Sequence, residues 1–251
     1  LSTIKTQGAG ISSETKGYYM AGFVAANTNV IEDLIFSTET TETISATLDA
    51  AKRLGCGVNS ATKGYSMGGF IAASASGIED LTFSTETSVL IVAALNTSKY
   101  GGAGVSSSTK GYIMGGLTTV VTAVIEDLNF STETSDVIAA TLNTAKYVGA
   151  GINSSTKGYI VGGWTTLSVA VIEDLTFSTE ASVAITAALS TAVYSWGGVN
   201  SSLKGYIFGG WATLETPIIQ DFNFDTEVSV RIEATLKSAK YYCVGVQSGS
   251  L

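Results

Sequence analysis

The sequence predicts an all-β fold, a five-bladed β-propeller, and two recurring motifs carry that prediction. The tripeptide Lys-Gly-Tyr returns every 47 residues without insertion or deletion, beginning at residues 16, 63, 110, 157 and 204. The tetrapeptide Ile-Glu-Asp-Leu keeps the same step from residues 31, 78, 125 and 172, with the looser Ile-Gln-Asp-Phe at residue 219. Repeats of about 40 to 50 residues that are rich in strand-forming residues and glycine are typical of propeller blades.

The chain divides into repeats 1–47, 48–94, 95–141, 142–188 and 189–235, followed by a partial repeat, 236–251. Because the repeat is uninterrupted, we expect a single β-propeller domain over residues 1–251. The partial repeat aligns with residues 1–16, which predicts one extra terminal strand. One of these two copies could complete a blade across the ring closure while the other adds an edge strand, contacts a neighbour or leads into further sequence, and the sequence leaves these alternatives open.

Each repeat should contain four strands, in an order that repeat 142–188 shows most clearly. A strand of small residues, 149–152, suits the innermost position, because a tight ring leaves little room for side chains. A strand through 159–163, a third through 172–177 and a fourth from Val183 onward follow it. The polar segments between them, such as Ser-Thr-Glu after Phe177, are typical of hairpin turns. No segment combines 3.6-residue apolar spacing with helix caps, so we expect almost no helix.

Composition narrows the classes of partner. Charged residues make up 14% of the chain and the formal net charge is −8, which disfavours nucleic acid as a partner. No run of 18 apolar residues occurs, so we expect no membrane insertion. Cys56 and Cys243 occupy different columns of the repeat, so a repeated disulfide framework is not indicated and two buried free thiols are expected.

The Gly-Gly doublets that close the second strand resemble those of kelch repeats. They lie at residues 68–69, 115–116, 162–163 and 209–210, with Ala21-Gly22 in the first repeat. The likeness extends to the third strand, where Ile-Glu-Asp-Leu-x-Phe stands near the kelch valine-tyrosine-aspartate segment, but the outer strand lacks the kelch Trp. Phe-Ser-Thr-Glu-Thr combined with Lys-Gly-Tyr-x-x-Gly-Gly is similar to uncharacterised kelch-like repeats of phage virion and tail-fibre proteins, particularly from aquatic phages. This resemblance implies a propeller displayed on a virion.

Catalysis is disfavoured by what the chain lacks and by what it repeats. There is no His, which removes Ser-His-Asp and Cys-His catalysis and imidazole metal ligands. A carboxylate pair could still serve a glycosidase, but Glu32 and Asp33 are strand neighbours that should point to opposite faces. The Asp33 and Glu39 columns hold an acid in every repeat, whereas an active site is normally built once. We expect these acids to bond turn amides or the Lys-Gly-Tyr lysines, and we expect no catalytic residue, cofactor or metal ion.

Ligand binding is expected in the loops, at the points where the repeats differ. The segment after the Gly-Gly doublet varies most, and its first position carries aromatic side chains in four of the five repeats. Trp196 replaces a glycine of the innermost strand and should line or plug the channel. The candidate ligand-binding residues are Phe23, Phe70, Trp164, Trp211, Tyr194 and Trp196. The alternative interpretation is that these aromatic rings wedge between blades and form the core.

The resulting functional hypothesis is a non-catalytic binding module that recognises a glycan or a host cell-surface receptor. We expect it on a virion fibre or a secreted protein, and therefore extracellular or at a virion surface. Near-identical blades would add avidity to weak single sites. The alternative is a structural scaffold or decoration protein that docks virion or assembly proteins through loops or edge strands.

Overall fold

A computed structural model describes residues 4–245 as five four-stranded antiparallel sheets around a central axis. The five-bladed β-propeller predicted from the repeat is confirmed, and the described residues form no helix. Each blade is continuous in sequence, with its strands in the order inner, second, third and outer.

The first three blades have the following strand bounds. Blade 1 comprises β1 (Ala9–Ser12), β2 (Lys16–Phe23), β3 (Asn27–Ile35) and β4 (Thr40–Lys52). Blade 2 comprises β5 (Cys56–Asn59), β6 (Lys63–Phe70), β7 (Ser74–Thr82) and β8 (Thr87–Ala94). Blade 3 comprises β9 (Ala103–Ser106), β10 (Lys110–Met114), β11 (Val124–Asn129) and β12 (Thr134–Thr141).

The last two blades keep the same plan. Blade 4 comprises β13 (Ala150–Asn153), β14 (Lys157–Val161), β15 (Val171–Thr176) and β16 (Ala181–Ala188). Blade 5 comprises β17 (Gly197–Asn200), β18 (Lys204–Phe208), β19 (Thr216–Asn223) and β20 (Val228–Lys240). Neighbouring strands within a blade pair antiparallel, as in blade 4, where Tyr159 lies opposite Asp174. A register shift interrupts the pairing of the third and outer strands in every blade.

The innermost strands are as tightly packed as their small residues predict. A Cβ added at Gly104 would lie 2.2 Å from the carbonyl oxygen of Gly57, and one at Gly151 would lie 2.0 Å from that of Gly104. Real Cβ atoms do not approach backbone oxygen so closely, so the glycine column is required by the ring itself.

The core lies between blades. Tyr112 of blade 3 stacks on Phe177 of blade 4 with ring centroids 5.6 Å apart, and the same stack joins Tyr18 to Phe83. Both tyrosines are almost completely buried. Each buried apolar cluster therefore spans two adjacent blades, so the stability of a blade depends on its neighbour.

A ladder of backbone hydrogen bonds encircles the axis just before each inner strand. The amide of Leu54 donates to the Gln7 carbonyl, and one such bond links each blade to the next. The ladder ends where Tyr242 donates to Ser195 at 2.7 Å. The residues at these positions have left-handed φ angles, such as 63° at Gln7 and 53° at Tyr242. The ladder stabilises left-handed backbone geometry, which is unfavourable for residues other than glycine.

The partial repeat is described in part. Residues 236–240 form the end of β20, and residues 241–245 continue toward the axis without forming a strand. The remainder of the predicted extra terminal strand, 246–251, lies outside the described residues. No described strand from one end of the chain pairs into the blade at the other end.

The cysteine prediction holds in its main point. Cys56 and Cys243 are both free thiols; Cys56 is buried and Cys243 is only partly buried. Burial raises the pKa of the Cys56 thiol to about 12, so it stays protonated at neutral pH. Over residues 4–245 the structure has no helix long and apolar enough to cross a membrane.

Candidate binding surface at the aromatic end

The strand directions give the propeller two chemically different ends. One end carries the β2–β3 type loops and the linkers that lead into each inner strand, and we call it the aromatic end. The other carries the β1–β2 and β3–β4 type turns, rich in Ser and Thr, and we call it the hydroxyl end.

Aromatic side chains form a belt around the aromatic end. Trp164 of blade 4 meets Tyr194 of blade 5 edge to face, with centroids 4.9 Å apart. Trp211 meets Tyr241 in the same geometry at 5.3 Å, and Phe70 meets Tyr100 at 5.2 Å. Each contact joins the residue after a Gly-Gly doublet to the linker that follows its blade, so the belt crosses blade boundaries.

A cation interrupts the belt between blades 1 and 2. The Arg53 guanidinium lies 4.9 Å from the ring centroid of Phe23 and 4.7 Å from that of Phe70. Its Nη1 donates to Asn27 Oδ1 at 3.0 Å, and Asn27 Nδ2 donates to the Phe70 and Ile71 carbonyls. Asn27 therefore holds Arg53 in place.

The predicted aromatics are neither fully exposed nor fully buried. Phe23, Phe70, Trp164, Trp211 and Tyr194 are all partly buried. Each packs part of its ring against the adjacent blade and leaves part accessible. The same side chains therefore contribute to packing between blades and present a surface on which a ligand could bind. Five of the six candidate residues are thus brought to one end of the propeller.

Exposed side chains at the loop tips surround the belt. The aliphatic tips are Val24, Ile71, Val120, Leu167 and Leu214, with exposed fractions of 49, 45, 68, 70 and 72%. Beside them Thr119, Thr166 and Thr213 are exposed, whereas the Thr118 and Thr165 hydroxyls donate to carbonyls within their own loops. The surface therefore offers apolar contact with a few free hydroxyls.

Several tyrosines lie close enough at the aromatic end to affect one another's ionisation. Burial raises the pKa of Tyr147, and the nearby phenols of Tyr242, Tyr100 and Tyr194 raise it further. Burial also raises the pKa of Tyr242. A cavity of 90 Å³ lies on the axis here, lined by residues that include Gln7, Trp196 and Tyr242. Of these tyrosines, sequence reasoning singled out only Tyr194, although Tyr100, Tyr147 and Tyr194 share one repeat column with Arg53.

Trp196, the sixth candidate, belongs to the core rather than to the belt. It is 5% exposed, and its Nε1 donates to the Val193 carbonyl at 2.9 Å. It contributes to the wall of the axial cavity, but most of its ring packs among residues of blades 4 and 5.

The position of Trp196 is explained by an ion pair that repeat five lacks. Four buried lysine–glutamate pairs, which sequence reasoning missed, occupy the same place in the repeats: Lys5–Glu32, Lys52–Glu79, Lys99–Glu126 and Lys146–Glu173, at 3.0 to 3.1 Å. Burial lowers the pKa of Lys52, Lys99 and Lys146, and the paired carboxylates oppose that shift. In repeat five the columns hold Val193 and Gln220, and the Trp196 ring fills the space of the missing lysine side chain.

At the hydroxyl end the acids have structural partners, as expected. Lys16 Nζ lies 2.7 Å from Asp33 of its own blade and 2.6 Å from Glu86 of the next. The Tyr18 hydroxyl donates to the same Glu86 at 3.2 Å. These bonds raise the pKa of Lys16, with Asp33 as the largest cause. Grooves of 570 and 540 Å³ open beside two such clusters, between blades 1 and 2 and between blades 3 and 4.

No protein-family model matches the chain, and a search of curated proteins finds no match. The β-propeller is shown by the structure itself, and the kelch-like and phage resemblance rests on the motifs alone.

Proposed function

We propose that the chain is a non-catalytic binding module that recognises a glycan or host cell-surface receptor through its aromatic end, on a virion fibre or secreted protein. The observation that carries this proposal is the belt of half-exposed rings around the channel mouth. The opposite end offers half-buried charges that are already paired with one another.

The belt suits the apolar face of a sugar ring. A large aromatic ring provides contact area with few rotatable bonds, so little side-chain freedom is lost on binding. Trp164 and Trp211 are also held by edge contacts with Tyr194 and Tyr241 before any ligand arrives. The exposed Thr166 hydroxyl lies on the same loop as Trp164 and supplies a hydrogen-bonding group.

The blades contribute different side chains to the belt, so we expect ligand contact to be strongest in one part of it. Blades 4 and 5 carry the two tryptophans, whereas blade 3 carries Leu117 in the same column. We therefore place the strongest contact at Trp164 and Trp211. The Arg53 sector would serve a negatively charged group of the same ligand or a second, weaker contact.

A scaffold role is the alternative, and the exposed loop tips favour it. Val120, Leu167 and Leu214 project from consecutive blades with exposed fractions near 70%. Apolar side chains on one surface are typical of a protein interface.

The test is binding of the purified chain to a broad array of microbial and animal glycans, with Trp164→Ala and Trp211→Ala measured in parallel. The matched control is Thr179→Ala, which removes an exposed side chain at the hydroxyl end. We expect selective binding that falls at least about tenfold in each Trp variant and is unchanged in the control.

Two results would contradict the glycan proposal. If the folded chain binds no glycan on the array, the scaffold role is favoured. Binding that survives both Trp substitutions would exclude the aromatic belt as the site.

A further inference from the structure

Four blade interfaces inside the propeller use one set of contacts. We call the face of a blade that contacts the next blade in the chain its front, and the face that contacts the preceding blade its back. At the interface of blades 3 and 4, the front of blade 3 presents Lys110 and Tyr112, and the back of blade 4 presents Phe177 and Glu180. The rings stack, and Glu180 accepts from Lys110 Nζ at 2.7 Å and from the Tyr112 hydroxyl at 3.1 Å. The same carboxylate contacts join blades 1 to 2, 2 to 3 and 4 to 5.

The front of blade 5 carries Lys204 and Tyr206 in the same columns, and among residues 4–245 no blade covers it. Five apolar residues there are partly exposed: Val199, Tyr206, Phe208, Ile219 and Leu236. Their counterparts in blade 4 are Ile152, Tyr159, Val161, Ile172 and Leu189, of which the first four are 0% exposed and the last is 6% exposed. Lys204 keeps its own-blade partner, Asp221, but within residues 4–245 no second carboxylate reaches it.

The back of blade 1 is the complementary uncovered face. Leu34 is partly exposed, whereas its counterparts Leu81 and Phe222 are 0% exposed. Glu39 is exposed, and in the described part of the chain no lysine pairs with it. Its counterparts in blades 2 to 5 all bond a lysine and a tyrosine of the preceding blade. Blade 5 therefore does not make with blade 1 the contacts that join every other pair.

Residues 241–245 lie near the central axis between these two faces. A cavity of 70 Å³ is lined by six equivalent glycines, Gly10, Gly57, Gly104, Gly151, Gly198 and Gly245. The sixth comes from residues 241–245, and a Cβ at Gly245 would lie 1.9 Å from the Gly198 carbonyl oxygen. Cys243 and Val244 line the 90 Å³ axial cavity together with Gln7 and Gly8, which lead into blade 1. The terminal segment, residues 241–245, thus lies between blades 5 and 1, where the inner strand of a sixth blade would begin. We call the space between the front of blade 5 and the back of blade 1 the wedge.

We propose that the wedge between blades 5 and 1 is a docking site for a sixth blade, a three-stranded antiparallel sheet that carries this repeat's own side chains. Its back would supply a Phe to stack on Tyr206 and a Glu to bond Lys204 and Tyr206. Its front would supply a Lys and a Tyr to bond Glu39. The partner is defined by continuity with four existing interfaces and by the charges left at Lys204 and Glu39. This inference does not depend on the ligand of the aromatic end.

The experiment appends a copy of residues 158–188 directly after Leu251, which stands in the repeat column of Lys157. Leu251→Lys is made in the same chain, so that the lysine for Glu39 is present. The control chain has the same extension with Phe177→Ala and Glu180→Lys in the copy only. Thermal unfolding and amide hydrogen exchange of β18 and β3 are measured for both and for the original chain.

We expect the extension to raise Tm by about 5 °C or more and to slow exchange in β18 and β3 together, with neither effect in the control. A folded extended chain with unchanged Tm and exchange would overturn the proposal, as would an equal effect of the control extension. If the extended chain does not fold, a separate peptide copy of residues 157–188 is added to the original chain, and slowed exchange in both strands is required. A dimer of the original chain that Tyr206→Ala abolishes would assign the wedge to a second copy instead.

Discussion

The front faces of blades 3 and 5 carry the same lysine and tyrosine in different surroundings. In blade 3, Tyr112 is 1% exposed and stacked, and Lys110 bonds two carboxylates. In blade 5, Tyr206 is partly exposed and Lys204 keeps one carboxylate. The repeat determines the chemistry of a face, whereas the neighbouring blade determines how much that chemistry stabilises the fold.

The largest expected difference is between Tyr112→Ala and Tyr206→Ala. Removing Tyr112 leaves a buried cavity and takes one of two hydrogen-bond donors from Glu180, which keeps Lys110, so we expect a loss of about 3 to 5 kcal/mol in the free energy of unfolding. Removing Tyr206 should cost about 1 kcal/mol, because its ring is not enclosed. Denaturant unfolding of both variants measures the difference, and equal losses would mean that blade 5 is covered in solution.

The buried pair of blade 4 can be compared with its neutral replacement in blade 5. Glu173→Gln leaves the Lys146 charge buried without its partner, so we expect a loss of about 3 kcal/mol. The triple variant Lys146→Val, Gly149→Trp and Glu173→Gln copies the arrangement of Val193, Trp196 and Gln220. The free energy of unfolding of this triple variant should lie within about 1 kcal/mol of that of the original chain, as measured by denaturant unfolding. A triple variant less stable than Glu173→Gln alone would show that the Trp side chain needs other features of blade 5.

A smaller difference is expected between the half-exposed ion pairs. Glu180→Gln removes the charge that bonds Lys110 and Tyr112, and we expect a loss of about 1 kcal/mol. Lys204→Met should change the free energy of unfolding less than Glu180→Gln does, because Lys204 lies at an open face. Thermal unfolding at low and high salt tests the pair, and the Glu180 effect should shrink as salt screens the charge.

The last expected effect is confined to alkaline pH, where the dependence of stability on pH should change slope. Burial, followed by the charge of Glu86, raises the pKa of Tyr18 to about 12 from 10.0, so the folded chain retains a proton that the unfolded chain has lost. This contribution to stability is complete below pH 10 and is lost as pH rises toward 12. Tyr18→Phe should therefore flatten the fall of stability between pH 10 and 12 in urea titrations. An unchanged slope would show that Tyr18 ionises equally in both states.

Much of the fold could be predicted because each blade is specified locally. The 47-residue period, the four strands and the small inner strand of Gly149 to Ile152 depend on residues close in sequence. The pairing of Lys16 with Asp33 was also predictable, because strand alternation places the two on one face of a blade. The belt was located through the variable column that contains Trp164 and Trp211.

The residues that sequence reasoning missed are brought together by tertiary packing. Tyr147 and Tyr242 lie far apart in the chain, yet the Tyr242 phenol is near enough to contribute to the raised pKa of Tyr147. Lys99 and Glu126 belong to the same repeat, and the folded blade buries them 3.0 Å apart. A lysine of low exposure has no distinctive local pattern, because its long apolar stem and charged end suit a surface equally well.

The sequence by itself determined the number of repeats, the composition of each blade and the ion pairs that recur within it. Only the tertiary structure decided which faces are covered, since Tyr159 and Tyr206 have the same local sequence role but different neighbours. The reason is that strand pairing and side-chain alternation act over a few residues, whereas burial depends on the blade that closes over a face. The half-buried belt and the open wedge are therefore properties of the assembled ring.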